Sequence, residues 1–193
     1  MRKIQIENTI YEVDDDFRTA IRCNQIAEDE TIGDFERALG VLMTLFGEKA
    51  IDNTNHYEKL LKWAKKYLSC GNENISIEQE PTMDYIEDEK YIKSSFKYDY
   101  GYNPYEMEHL SWEEFYNDLN NLSNSEFGNC CILNRIIQIR TYDISKIEDA
   151  QERDKILKAK QMVSLKKKKK EVEIKLTEEQ QKSVDEFYKA LGF

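Results

Sequence analysis

Prolines number two, glycines seven and histidines two in a chain of 193 residues, and each shortage excludes something. So few breakers, with 34% charged and 40% apolar residues, suit a soluble helical protein rather than a disordered one. The histidines, His56 and His109, lie far apart, and no Gly-x-Gly-x-x-Gly, Gly-x-Ser-x-Gly or phosphate-loop pattern occurs. No nucleophile with its base, nucleotide cradle or metal set can be picked out, so no enzyme activity, catalytic residue, cofactor or metal is expected. His109 stands just before a capped helix, the usual place of a satisfied structural group. No apolar run approaches the ~20 residues that span a bilayer, and the start, Met-Arg-Lys-Ile-Gln-Ile-Glu, lacks a signal-peptide core. The expected place is therefore the cytoplasm of the cell that makes the chain, without membrane contact and with reduced cysteines. Cys23 and Cys70 sit in helical patterns and Cys130-Cys131 is an adjacent pair, which is not the spacing of a structural zinc site.

What is present is charge, unevenly spread. The net charge is −10, yet Arg153 to Lys170 is +8 and residues 1–152 are −15. An acidic body is not the expected partner of nucleic acid, whose phosphates repel it; only the basic stretch could make that contact. A chain of this size buries about 70% of its unfolded surface, enough for one core and thin for two. The expectation is a mainly α, compact helical domain with a short N-terminal β-hairpin over residues 1–165, and a basic run with a C-terminal helical tail over 166–193.

Ile4, Ile6, Tyr11 and Val13 flank the turn-prone Glu7-Asn8-Thr9, which reads as the hairpin. Two strands alone are marginal in water, so it must pack on the helices that follow. Asp14-Asp15-Asp16 precedes the pattern Phe17, Ala20, Ile21 and reads as a helix cap, since the spaced oxygen ligands and glycine of a calcium loop are missing. Asp34 opens a second helix through Phe46, ended by Gly47, and a third runs from about Asn55, with Glu58 as capping partner, to Gly71. Residues 71–82 read as a loop. Ser145 with Glu148 is expected to cap a long helix towards Leu165, and Thr177 with Gln180 a last short one.

The centre of the chain runs from Asp84 to Arg140 and spells three helices. Tyr85, Ile86, Tyr91, Ile92 and Phe96 recur near helical spacing until Gly101 and Pro104. Ser111 and Glu114 form a capping box, after which Trp112, Phe115, Tyr116, Leu119 and Leu122 make one apolar stripe. Phe127, Cys131, Ile132, Ile136 and Ile139 form a third face. Phe96, Tyr98, Tyr100, Tyr102 and Tyr105 could stack bases, but in acidic surroundings such rings more naturally fill a core and one side of an interface. The candidate partner-binding residues are therefore Phe96, Tyr100, Trp112, Phe115 and Tyr116, with Lys166, Lys167 and Lys168 of the basic run. That run, Lys166 to Lys170, is by default a solvated helical face. It could instead meet a polyanion or an acidic partner, or mark a slippage-prone A-rich coding stretch.

The order of several blocks is similar to a known family. They are Ile-x-Ile followed by Tyr-x-Val, Asp-Phe-Arg at Asp16 to Arg18, Leu-Phe-Gly at Leu45 to Gly47, and Asp-x-x-Tyr-Ile-x-x-Ser-Phe at Asp88 to Phe96 with Tyr100-Gly101. Leu-x-Trp-x-x-Phe at Leu110 to Phe115, Ile-x-x-Ile-Arg ending at Arg140, and Lys-x-x-x-x-Leu at Lys160 to Leu165 complete the set. Over residues 4 to 165 the chain resembles the bacteriophage gene-product-fifteen family of tail assembly chaperone-like proteins. It departs at Ser111-Trp112, where the family often has two aromatics, and residues 171–193 fall outside the match. The resemblance implies a host-cytoplasmic chaperone that binds the tape-measure protein, helps tail-tube assembly and is absent from the finished particle. Further candidate partners are the tail-tube protein and a second assembly chaperone, and, apart from the resemblance, a second copy of the chain. It supplies no catalytic residues. The alternatives are a structural tail or baseplate subunit, or a nucleic-acid binder through Lys166–Lys170.

Overall fold

Alternating apolar residues at the start of the chain form two antiparallel strands, β1 (Arg2–Ile6) and β2 (Thr9–Val13), paired from Arg2 opposite Val13 to Ile6 opposite Thr9. The turn is Glu7-Asn8 alone, one residue shorter than the expected break, with Glu7 at φ 53°. Positive φ at the first loop position matches the twist of the two strands. A computed structural model describes residues 2–71, 81–124 and 130–166. Within the span read from sequence as one domain, the described chain divides into two compact units, residues 2–71 and residues 81–166.

The first unit packs the hairpin on α1 (Phe17–Ala27), α2 (Asp34–Phe46), a short α3 (Glu48–Ile51) and α4 (Tyr57–Leu68). Within the Asp triplet Asp16 is the cap of α1, as the sequence suggests, accepting the Arg18 N–H at 2.9 Å, while Asp14 accepts the Thr19 hydroxyl at 2.9 Å. Gly47, at φ 74°, ends α2, and α3 follows it at once. The expected cap of α4 at Asn55 and Glu58 does not form. A 3-10 turn at Thr54–His56 leads into the helix instead, so its first N–H groups are met without a side-chain cap. Tyr11 and Val13 on the inner face of β2 join Phe17, Ala20, Leu42, Leu45 and Leu60 in the core, each almost wholly enclosed. Each large side chain buried this way contributes ~1.5–3 kcal/mol. Helices α1 and α2 approach closely at Gly40, where an added Cβ would lie 2.8 Å from Ile26 Cγ2.

The second unit holds α5 (Glu89–Asp99), α6 (Trp112–Asn120), α7 (Ile132–Thr141) and α8 (Ala150–Val163). The Ser111–Glu114 capping box forms with both reciprocal bonds. Other boundaries differ from the sequence pattern for identifiable reasons. Tyr85 and Ile86 lie in a turn before α5, because the Asp84 carboxylate accepts the Ile86 and Glu87 N–H groups at 2.8 Å each. Helix α7 starts at Ile132, capped by the Cys131 sulfur on the Asn134 N–H at 3.5 Å, and Phe127 lies outside the described residues. The Ser145–Glu148 box does not form. Asp143 instead takes the Ser145 N–H and hydroxyl, at 3.0 and 2.7 Å, in a 3-10 turn, and Asp149 caps α8 through Gln151 and Glu152. A carboxylate next to each first turn outcompetes the more distant pairing. The run Lys167–Lys170 and the expected terminal helix lie outside the described residues. No helix among those described is long and apolar enough to cross a membrane.

Candidate partner-binding site

The aromatic stripe of α6 and the inner face of α5 meet inside the second unit. Phe96 stacks on Phe115 with centroids 5.4 Å apart, Phe115 on Trp112 at 6.0 Å, and Tyr85 meets Trp112 edge-on at 5.8 Å. Phe96, Trp112 and Phe115 are at most 1% exposed. Three of the five aromatic anchors expected to meet a partner are therefore core residues of the folded unit and are not surface contacts. Their apolar area gains more from enclosure than a surface ring can. Tyr116 is half-buried beside Trp112, and Tyr100 remains 37% exposed.

Tyr100 and Tyr102 form the edge of this cluster. Their rings stack at 6.1 Å, and both hydroxyls donate to Asp118, Tyr100 to its backbone carbonyl at 2.8 Å and Tyr102 to its carboxylate at 2.5 Å. Burial, and next the Asp118 carboxylate, pushes both phenols above their ordinary range. The aromatic edge is thus pinned from below. Beside it opens a cleft of about 460 Å³ lined by Lys93, Lys97, Tyr102, Asn103, Glu106 and Met107. Gly101, at φ 77°, and the Pro104–Glu106 turn, capped by Asn103 on the Tyr105 N–H at 3.1 Å, form its far wall. Lys93 pairs with Glu89 and lies over the Tyr105 ring at 4.8 Å. Sequence reasoning missed Lys93, Lys97 and Met107; the signal available was two lysines four apart, on one helix face, just before Gly101.

A polar frame holds these elements. Asp88, fully buried at the start of α5, accepts both ends of the Arg140 guanidinium, at 2.6 and 2.7 Å, and also the Asp84 N–H at 3.0 Å. The bidentate carboxylate raises the guanidinium pKa further. Arg140 also donates to the carbonyls of Thr82, at 3.0 Å, and Val163, at 2.6 Å. One side chain therefore joins α5, α7, the exit of α8 and the turn before α5. Buried Ser95 accepts the Leu133 N–H at 3.0 Å and so caps α7 from α5.

His56 belongs to the first unit and is 5% exposed. Its Nδ1 lies 2.8 Å from the Tyr11 hydroxyl and 3.2 Å from the Asn53 amide nitrogen, and its Nε2 lies 3.4 Å from Glu7. Two donors meeting at Nδ1 assign the lone pair there and the proton to Nε2, facing the carboxylate. His109 is exposed. The Cys23 thiol, buried in the core of the first unit, is pushed up to about 12 by desolvation, which removes it as a nucleophile near neutral pH. Among the described residues no group of three or more His, Cys, Asp or Glu could hold a metal ion. Lys166 is exposed, with its backbone N–H on the Glu87 carboxylate at 3.1 Å, whereas Lys167 and Lys168 lie outside the described residues.

Residues 1–165 match the family model described as "Bacteriophage Gp15 protein". No curated protein and no solved structure matches.

Proposed function

The chain belongs to the Bacteriophage Gp15 protein family, and from that premise we propose that it is a non-enzymatic tail assembly chaperone that binds the tape-measure protein and assists tail-tube assembly. Membership by itself makes it a phage structural or assembly protein. The finer reading takes its support from the resemblance set out above and from one observation, the cleft beside the pinned Tyr100–Tyr102 edge.

The chemistry is amphipathic recognition. A long helix with an apolar face precipitates in water unless that face is covered, and a cleft with a rigid aromatic rim accepts apolar side chains repeating at i, i+3, i+4 and i+7. Tyr102 and Met107 line the cleft and supply apolar contact, Tyr100 backs Tyr102 by stacking on it, and Lys93 and Lys97 orient carboxylates on the incoming helix, with half-buried Tyr116 of α6 a separate proposed contact. Held in place by Asp118, the two tyrosines lose little further freedom on binding. The tail-tube protein, a second assembly chaperone and a second copy of the chain are the further partners proposed, in the cytoplasm of the bacterial host.

The test is a pull-down from co-expressing cells. The tagged chain is expected to retain the tape-measure protein, and Tyr100→Ala with Met107→Asp is expected to release it. Retention by that double variant at wild-type level counts against the cleft, and no retention by the wild type counts against the chaperone. Mass spectrometry of finished particles separates the alternative: a chain present in stoichiometric amount is a structural subunit.

A further inference from the structure

We infer that the open edge of β1 is a docking edge for residues 171–176 of the chain's own C-terminal segment, which add to the hairpin as a third strand. The two-residue loop makes Ile6 and Thr9 the closing pair, which exchanges both backbone bonds, and Ile4 with Tyr11 and Arg2 with Val13 do the same further along. Lys3 and Gln5 therefore turn their N–H and C=O groups away from β2, and Ile10 and Glu12 turn theirs away from β1. The edge of β2 is closed. Lys49 Nζ donates to the outward Ile10 carbonyl at 2.7 Å, and just past the strand the Asp14 N–H donates to the Leu45 carbonyl at 2.9 Å. The edge of β1 meets no strand and no backbone group among the described residues. Its inner face is incomplete in the same place: Tyr11 and Val13 of β2 are 0% exposed, whereas Ile4 and Ile6 of β1 stay half-buried. Neither a proline nor a bulge on β1 discourages pairing.

The part of the chain that continues past Lys166 supplies a matching strand. Residues 171–176 read Glu-Val-Glu-Ile-Lys-Leu, with Val172, Ile174 and Leu176 alternating with charged residues, the period of a half-buried strand. They are about as long as β1 and end at Thr177, the expected cap of the last helix. Val172 and Ile174 extend the apolar face made by Ile4 and Ile6 and cover what those side chains leave open. Glu173 then falls on the outer face beside Lys3, which faces Glu12 at 3.1 Å, so that acid, base and acid alternate across three strands. A slip of one residue would turn the three apolar side chains to water and Glu173 to the core, which fixes the faces. Each outward N–H and C=O of Lys3 and Gln5 gains a backbone partner, and a hairpin that is marginal as two strands becomes a three-stranded sheet. This edge stands independently of the tape-measure reading.

The test is amide hydrogen exchange of the full chain, read residue by residue by NMR. The Lys3 and Gln5 amides are expected to exchange about a hundredfold more slowly than unprotected ones, with Ile4 and Ile6, bonded to β2, slower still. Nuclear Overhauser contacts are expected between Lys3 or Gln5 and residues 171–176. Ile174→Pro, which removes a strand donor, and a chain ending at Lys170 are each expected to return Lys3 and Gln5 to within about threefold of the unprotected rate, while Ile4 and Ile6 keep their protection. Lys168→Gln with Lys169→Gln, in the basic run, is the control expected to leave all four amides unchanged. Unprotected Lys3 and Gln5 in the wild type overturn the proposal, as does their full protection in both strand-breaking variants. Contacts from Lys3 and Gln5 to another segment overturn it as well, and this wild-type readout decides the matter where a variant fails to fold. Protection that rises with protein concentration, together with a dimer in sedimentation, assigns the strand to a second copy and overturns docking within one chain.

Discussion

Among the described residues of the hairpin unit the one buried polar side chain is His56, beside Tyr11 and Asn53, whereas in the second unit Asp88 and Ser95 are buried where the helices join. The first unit closes by apolar stripes, with α1, α2 and α4 each presenting one to the core and to β2. The second has shorter central helices, of 9 to 11 residues, and joins them through side chains that reach backbone groups on other elements. Arg140 alone contacts the Thr82 and Val163 carbonyls and the Asp88 carboxylate. A core of stripes tolerates loss of a polar contact; a core assembled around a buried ion pair does not.

The chain carries one tryptophan in each unit, Trp63 and Trp112, so single-tryptophan variants report the two units separately. The largest expected effect is Arg140→Met, which leaves the Asp88 charge buried and unpaired at a cost of ~3–5 kcal/mol. In urea, the Trp112 transition is expected to move strongly and the Trp63 transition little, and adding Asp88→Leu is expected to restore most of the loss. Ser95→Ala comes next, because it strips the buried Leu133 N–H of its acceptor; a loss of ~1–3 kcal/mol at the Trp112 transition is expected. Tyr11→Phe in the hairpin unit is expected to cost less, ~1 kcal/mol at the Trp63 transition, because Asn53 still donates to His56.

Smaller effects come from pH. Burial raises the phenols of Tyr102 and Tyr105, so the fold keeps them neutral. The unfolded chain releases those protons near its ordinary value of ~10. Stability of the second unit is therefore fully present below that value and falls as pH rises above it. Near-ultraviolet absorbance is expected to show tyrosinate appearing together with the Trp112 transition, with a shallower loss in Tyr102→Phe. The smallest effect belongs to Glu7, whose carboxyl is lowered chiefly by its hydrogen bond to Lys59. Its contribution is present above the ordinary 4.5 and is lost as pH falls. Lys59→Met is expected to return the Glu7 titration towards 4.5 in NMR spectra while leaving the Trp112 transition in place.

The same contrast explains what could be read from the sequence. The hairpin, the Asp16 cap, the ends of α2 and the Ser111–Glu114 box are local events, fixed by residues within a few positions of one another, and the pattern displays them. The Asp88–Arg140 pair joins residues 52 apart, and nothing local couples them even though both lie in the family-like blocks. The α8 start departs from the sequence pattern for a related reason: Ser145 and Glu148 have the right spacing, but Asp143 and Asp149 lie closer to the N–H groups they accept. Phe96, Trp112 and Phe115 look alike as anchors or as core, because an apolar stripe does not say what covers it. Only the packing of α5 on α6 separates them from Tyr100 and Tyr116. The cleft has no local signature in the sequence, because its wall joins α5 to a loop whose fold follows from Gly101, Asn103 and Pro104 together.

The most direct measurement on the central functional claim is the solubility of the tape-measure protein expressed with and without this chain. Coverage of its apolar helical faces is expected to keep it in the soluble fraction, and the Tyr100→Ala/Met107→Asp variant is expected to lose that effect. Equal precipitation in the presence and absence of the wild-type chain would contradict the chaperone reading.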